Sequence, residues 1–344
     1  MRLTTKSIMQ NYNRGLQDSL FRWNSAQNKV LTQRNFNTVA EDPSGANRSF
    51  QIRSQMKRNA DQIETAKSVQ NILDQVSSTT LQINKIMTED VNVNILESMN
   101  GTVGADDRKT YAETLRGFQK SIILAANSNF GGRYILGGEN TKDVPFELSE
   151  DGKTLTYRGL DVNTGLPVNP PPAPNTPPDI AALDKLAKEA LYVDLGFGLT
   201  EQNGQLVETS AFNSATPGIG YLGYGKDNDG NPNNVVALLG KMADTLEQEP
   251  FDNASFGRML DKYKGCIETA VNYEAELGTR AKFIETTITR LESNNDTLNE
   301  RIVSIEQVNM PEAISSYLWQ GYAYNAALKV GTDIVSQSLI DFMR

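Results

Sequence analysis

The stretch FGRMLDKYKGCIETAVNYEAELGTRAKFIETTITRLESNNDTLNERIVSI, Phe256–Ile305, decides the fold. Read in alternating steps of four and three, it lands on Phe256, Leu260, Tyr263, Ile267, Ala270, Glu274, Leu277, Ala281, Ile284, Ile288, Leu291, Asn295, Leu298, Ile302 and Ile305. An apolar stripe sustained between charged flanks predicts one long helix whose narrow face lies on another helix. Such a helix would be about 75 Å long, and it needs a partner, because helices in water draw most of their stability from packing the apolar face. Glu274 and Asn295 interrupt the stripe. Either they set register, as buried polar residues do in helical seams, or they sit where the stripe meets solvent.

Working outward, the same periodicity recurs at both ends of the chain. Met9, Tyr12, Leu16, Ser19, Trp23, Ala26 and Val30, widened by Leu20, predict an amphipathic helix near the N-terminus. It ends in the turn-forming run Asn37-Thr38-Val39-Ala40-Glu41-Asp42-Pro43-Ser44-Gly45, where Pro43 would break any continuing helix. A second long seam follows through Ile52, Met56, Asn59, Ile63, Ala66, Val69, Leu73, Val76, Thr80, Ile83 and Met87. Beyond Gly101 and Gly104, with Asp106 and Asp107 as expected N-caps, a shorter helix carries Tyr111, Leu115, Phe118, Ile122 and Ala125 and ends at Gly131-Gly132. After the long Phe256 helix, Asn309-Met310-Pro311 breaks the chain. A last seam then runs through Ile314, Tyr317, Gly321, Tyr324, Leu328, Gly331, Val335, Ser338 and Phe342. Gly321 and Gly331 weaken it by about 1 kcal/mol each relative to alanine.

Between these arms the period changes to alternation. Pro145–Arg158 reads as a hairpin around Glu150-Asp151-Gly152-Lys153, residues 166–179 are proline-rich, Ile180–Ala190 is a short helix, and Val193, Leu195, Phe197 and Leu199 alternate as a strand. A glycine-rich run over 218–230 leads back to helix at Val235–Glu247. The fold class is therefore mainly α: an elongated, coiled-coil-like helical bundle rod formed by the N- and C-terminal segments, with a small α+β, hairpin-rich insert in the middle. The expected domains are 1–36 with 311–344 (terminal helices), 37–132 with 233–310 (long-helix bundle), and 133–232 (outer α+β part). Short helix, break, long helix, middle, long helix, break, short helix is a near-palindrome. It sets the two long helices side by side, the two terminal helices side by side, and both breaks at one height. The terminal pair has too thin a stripe to be finished alone, so neighbouring copies complete it.

Composition excludes several functions. The chain of 344 residues has no histidine and one cysteine, Cys266, which removes Ser-His-Asp and Cys-His catalysis, histidine–cysteine zinc clusters and disulfide frameworks. A formal net charge of -9 opposes nucleic acid and anionic membrane as partners. No run of apolar residues is long enough to span a bilayer, and Met1–Asn13 lacks the apolar stretch of a cleavable signal. Asp227, Asp229 and Asn231 begin like a calcium loop, but Pro232 stands where its glycine belongs and Leu238 where its bidentate glutamate belongs, so a solvated turn is expected. Gly152-Lys153-Thr154 has Glu147 in place of the first glycine of a phosphate loop and reads as a hairpin turn. Trp319 and Tyr322 either widen the last stripe or contact a neighbouring subunit, aromatic residues being enriched at interfaces.

Two segments resemble the flagellin superfamily. Asn37–Ala46, with Glu41-Asp42-Pro43-Ser44-Gly45, is similar to that family's (A/P)-(D/E)-D-P-x-(G/A) turn between its terminal and neighbouring domains, Glu41 being a departure from many relatives. Asn129-Phe130-Gly131-Gly132-Arg133-Tyr134-Ile135-Leu136-Gly137-Gly138, followed by Pro145-Phe146, resembles the segment that leads from the third helix into the outer domain in members joining hook to filament. The long proline tract is a further departure.

The resemblance implies a structural, non-enzymatic protein without cofactor, exported unfolded through the flagellar type III apparatus and extracellular once assembled. It implies self-association in a ring, another hook-associated protein on the hook side, flagellin on the filament side, and a cytoplasmic export chaperone on the C-terminal helix before secretion. The seam residues Met9, Tyr12, Leu16, Leu20, Trp23, Val30, Ile314, Tyr317, Tyr324, Leu328, Val335 and Phe342 would then join subunits. Ile52, Met56, Ile63, Leu73, Val76, Ile83, Leu260, Ile267, Leu277, Ile284, Ile288, Leu291, Leu298 and Ile302 would form the bundle core, and Asp42, Pro43, Gly45 and Pro311 the turns between domains. A filament-forming flagellin is the alternative, and an enzyme housed in the middle insert a remote one.

Overall fold

The Phe256 stripe lies on a single 54-residue helix, Asn253–Glu306 (α8). The computed structural model describes residues 5–100, 103–173, 176–198, 200–202, 205–207 and 210–342, with the side chains of 333–342 left aside. The other arms are Thr5–Thr32 (α1), Pro43–Lys85 (α2), a π-helical turn at Ile86–Val91, Asn92–Ser98 (α3), Ala105–Ala126 (α4) and Met310–Phe342 (α9). The middle holds Ile180–Ala187 (α5), Gly218–Leu222 (α6) and Val235–Leu246 (α7). No helix among the described residues is long and apolar enough to cross a membrane. The chain divides into two compact units, one from the described residues of Met1–Ala60 and Glu292–Arg344, the other from Asp61–Leu291. The boundaries fall inside α2 and α8.

The Asp61–Leu291 unit has the denser core. Ala66, Val69, Leu73, Val76 and Ile83 of α2 and Met87 of the π turn are buried with Leu260, Tyr263, Ala270, Leu277, Ile284 and Ile288 of α8. Ile63 and Ile267 are only half-buried. The Tyr263 hydroxyl donates to the Met87 carbonyl (2.8 Å), inside the π turn, where the helical ladder is disturbed and a carbonyl is available. α4 and α7 pack on each other, and their buried residues join the same core. α7 is mostly apolar and buried on almost every side, with Lys241 and Asp244 on its one half-exposed face, as expected of a helix at the centre of a unit. Its N-cap is Asn234, whose Oδ1 accepts from Val236 N and Ala237 N. Gly240 lies against Gln119 of α4, which donates to the carbonyls of Gly152 and Val236. Arg116 of α4 reaches Asp244 (2.7 Å) and Glu247 (3.0 Å) on the same seam.

The middle strands are short and antiparallel. Phe146–Leu148 pairs with Leu155–Tyr157 across the Asp151-Gly152 turn, with Phe146 opposite Tyr157, and Leu160–Asp161 adds a third strand. Asn129–Phe130 pairs with Arg133–Tyr134 as a small separate hairpin. The alternation expected over 193–199 survives only at Tyr192–Val193, paired with Phe212–Asn213, because Gly196 and Gly198 adopt positive φ and turn the chain; Leu199 lies outside the described residues. The loop that follows is held to α8 by a stack: Phe197 and Phe212 lie on either side of Phe283, Arg290 covers Phe197 and Arg280 covers Phe212. Both arginines also donate to loop carbonyls, Arg290 to Leu195 and Arg280 to Asn213 and Ala215. A second difference concerns α4, whose N-cap is Gly104; Asp106 and Asp107 sit in the first turn, where their charge suits the helix dipole.

Candidate assembly interface

The remaining unit brings α1 and α9 together along most of their described length. The Trp23 ring lies between Tyr317 (centroids 6.1 Å apart) and Tyr324 (5.5 Å), both nearly parallel to it. The Tyr12 hydroxyl donates to the Ala327 carbonyl at 3.0 Å. Both contacts depend on missing side chains. A Cβ at Gly321 would stand 3.2 Å from Trp23 Nε1, and one at Gly331 would collide with the Tyr12 hydroxyl. The two glycines that cost helix propensity are therefore the places where α1 lays its large rings on the α9 backbone.

Tyr317, Gly321, Tyr324 and Gly331 of the expected seam turn toward α1, and the inward face moves by one residue only at Ile314 and Leu328, where Ala313 and Ala327 take their place. Ile314 (44% exposed) and Leu328 (40%) stand on the open side instead, beside Leu318, Trp319 (73%), Tyr322 (68%) and Val330. At these two positions the expected seam took the large apolar residue rather than the alanine beside it. On α1, Met9, Tyr12, Leu16, Trp23 and Val30 are half-buried and Ala26 is buried, while Leu20 joins Phe21 and Leu31 among the exposed residues. Val335 and Phe342 fall outside the described side chains. The Trp23 indole N–H is buried without an acceptor.

The two breaks meet. Asn35 N donates to the Glu306 carbonyl (2.8 Å), its side-chain amide donates to the carbonyls of Ile305 and Gln307, and Val308 N donates back to Gln33. Asp42 caps α2: its Oδ1 accepts from Gly45 N at 2.9 Å, with Pro43 in the first turn, where a missing N–H costs nothing. A Cβ at Gly45 would run into the Asp42 carboxylate and stand 3.0 Å from Phe36, which explains the glycine. Pro311 is exposed in the first turn of α9. Glu306, the last residue of α8, accepts from Ser49 Oγ and from both Arg53 Nε (3.1 Å) and Nη2 (2.7 Å to Oε2). Those hydrogen bonds, that to Arg53 foremost, hold its carboxyl below the usual range. Nothing in the sequence pattern pointed to Ser49, Arg53 and Glu306 as a group. Ile52, Met56, Leu298 and Ile302, expected as bundle core, are half-buried here.

The other sites considered from sequence have internal occupants. Asp227 accepts from the backbone of Asp229 and Asn231, and the ammonium groups of Lys262 and Lys241 sit on the loop's remaining oxygens: Asp227 Oδ2 with Asn231 O, and Gly230 O with Asn231 Oδ1. Two lysines thus take the place a cation would need. No group of three or more metal-binding side chains exists among the described residues. Cys266 is half-buried near Asn233, and burial pushes its thiol up to about 11.

Residues 3–141 match the bacterial flagellin N-terminal helical region. Over its full length the chain is 22% identical to flagellar hook-associated protein 3 of Escherichia coli, across 350 residues and 100% of both chains. It is equally similar, 22% over 355 residues, to flagellar hook-associated protein 3 of Salmonella typhimurium, again over 100% of both. The crystal structure of flagellar hook associated protein-3 from Legionella pneumophila shares the fold, with a TM-score of 0.53 at 10% identity over 74% of this chain and 98% of that one.

Proposed function

We infer that this chain is a flagellin-superfamily protein and a structural subunit of the bacterial flagellum, standing at the junction between hook and filament. The observation that carries the reading is the end-to-end likeness to hook-associated protein 3, in which both terminal segments and the middle take part. The open face of α9 supports it: a helix that leaves Trp319, Tyr322, Leu318 and Val330 in solvent on the side away from its own partner is built for contact with another chain.

In this reading copies of the chain associate in a ring through the terminal helices, 1–36 and 311–344. The segments 37–132 and 233–310 form the supporting bundle, and 133–232 the outer part. Another hook-associated protein lies on the hook side and flagellin on the filament side. Before assembly the chain is exported through the flagellar type III apparatus, with a cytoplasmic chaperone covering the C-terminal helix. Its task is structural, a platform on which flagellin polymerises.

Deleting the gene, imaging the cells and assaying flagellin in the medium tests this. Bare hooks with flagellin shed to the medium are expected. Bare hooks without external flagellin would assign the chain to the filament itself, and normal filaments would overturn the reading.

A further inference from the structure

Glu274 stands on the apolar stripe of α8 between the buried Ala270 and Leu277. Its Oε1 is shut off from solvent with no hydrogen-bond partner, and so is Nδ2 of Asn84, the residue of α2 within reach of it. Asn84 is tied on its other side to α6: the Tyr221 hydroxyl lies 3.0 Å from Asn84 Oδ1 and 3.0 Å from the Thr80 carbonyl. A hydroxyl has one proton and cannot serve two acceptors fully. The two ends of an amide are alike in shape. Turned by half a revolution, Asn84 would offer Nδ2 to the Tyr221 oxygen and Oδ1 to Glu274, leaving the tyrosine proton for Thr80. The chain of bonds then closes on one condition, that Glu274 supplies a proton.

We propose that Glu274 is a proton-carrying latch between α2 and α8: its neutral carboxyl donates to Asn84 Oδ1, Asn84 Nδ2 donates to the Tyr221 oxygen, and the Tyr221 hydroxyl donates to the Thr80 carbonyl. The surroundings favour the neutral acid. Burial lifts the Glu274 carboxyl above the usual range, partly opposed by Asn84. The titratable group facing it is Tyr221 from α6, its phenol raised by burial, so it brings no charge; Tyr273, whose ring packs against Tyr221, is likewise raised by burial, to about 12. From α2, Lys85 is turned away to Glu89, at 3.8 Å. Because the folded carboxyl sits above its unfolded value, the latch contributes fully below the unfolded value, and its contribution fades as pH rises through the folded one.

Carboxyl-carbon NMR of the full chain, with the resonance assigned by loss in E274Q, reads the proton directly; a midpoint above the usual glutamate range is expected. Urea unfolding of wild type and E274Q provides the second readout, since glutamine donates to Asn84 as the acid does. At pH 7.5 E274Q should exceed wild type in folding equilibrium constant by about tenfold per unit of raised pKa, and the two should converge near about pH 4. A normal glutamate midpoint, or E274Q less stable than wild type at pH 7.5, would overturn the proposal.

Discussion

In the Asp61–Leu291 unit, α7 is covered on almost every side and Ile284, Tyr263 and Phe256 of α8 are fully buried. In the unit at the chain ends, Trp319 and Tyr322 stand in solvent while glycine and alanine face the partner helix. The first unit spends its large apolar side chains on itself, which is how a stable domain is made. The second keeps several of them on show and holds its helices together by the Trp23 stack between Tyr317 and Tyr324, by rings laid on bare backbone and by the Tyr12 hydroxyl bond. Helix seams that look alike in sequence therefore serve two purposes, and which one is read from the burial of particular residues.

The sharpest test of that contrast is a pair of truncations on α8. Ile284→Ala removes a fully buried side chain and should cost about 2–5 kcal/mol, whereas Leu298→Ala, half-buried in the other unit, should cost under about 2 kcal/mol. The chain helps the measurement. Its two tryptophans, Trp23 and Trp319, both lie on the terminal pair, so indole fluorescence follows that unit while far-UV circular dichroism follows all helices. Equal losses for the two variants would mean the units are packed alike. Gly331→Ala is the next step down. Helix propensity favours it by up to about 1 kcal/mol, but its methyl meets the Tyr12 hydroxyl, and overpacking costs about 1–3 kcal/mol. The net effect should be a lower fluorescence midpoint and faster proteolysis of 5–32. A more stable pair would mean Tyr12 moves aside freely.

The heptads of α2 and α8, the break at Asp42-Pro43, the Asp151-Gly152 hairpin and the meeting of the two breaks could be read from periodicity and turn chemistry, because each rests on local rules. The inward face of α9 could be read at Tyr317, Gly321, Tyr324 and Gly331 but not at its alanines. Period alone fixes a stripe to within one position, and beside Ile314 and Leu328 it is Ala313 and Ala327 that face α1, where the Tyr12 hydroxyl reaches the Ala327 carbonyl. The Ser49–Arg53–Glu306 group was equally hidden. Glu306 is far in the chain from Ser49 and Arg53, and a glutamate just past the end of an apolar seam looks like any solvated charge.

Two glutamates of α8 carry the contrast into electrostatics. Glu274 is raised by burial, while Glu306 is lowered chiefly by its hydrogen bonds to Arg53, so their pH dependences have opposite signs. A depressed carboxyl contributes stability above its unfolded pKa and loses it as pH falls through the folded value. Arg53→Ala should thus weaken the terminal unit by about 1 kcal/mol or less at neutral pH, the pair being partly exposed. The gap to wild type in fluorescence midpoint should narrow as pH drops below the usual glutamate range. A gap that stays constant into acid would mean Glu306 takes its stability from elsewhere.

The smallest expected effect on the folded chain falls on the residues expected to matter most for assembly. Trp319 and Tyr322 touch each other edge to face and otherwise stand open, so Trp319→Ala with Tyr322→Ala should shift monomer stability by no more than about 0.5 kcal/mol. Trp23 remains as the fluorescent probe. The same double variant should leave cells with hooks and no filaments, because two large rings that bury nothing within one chain have their burial available for another. A drop in monomer stability would show that this face is already covered from within. Normal filaments on a stable variant would show that the open stripe is idle, and the contrast between the two units would then lose its functional meaning.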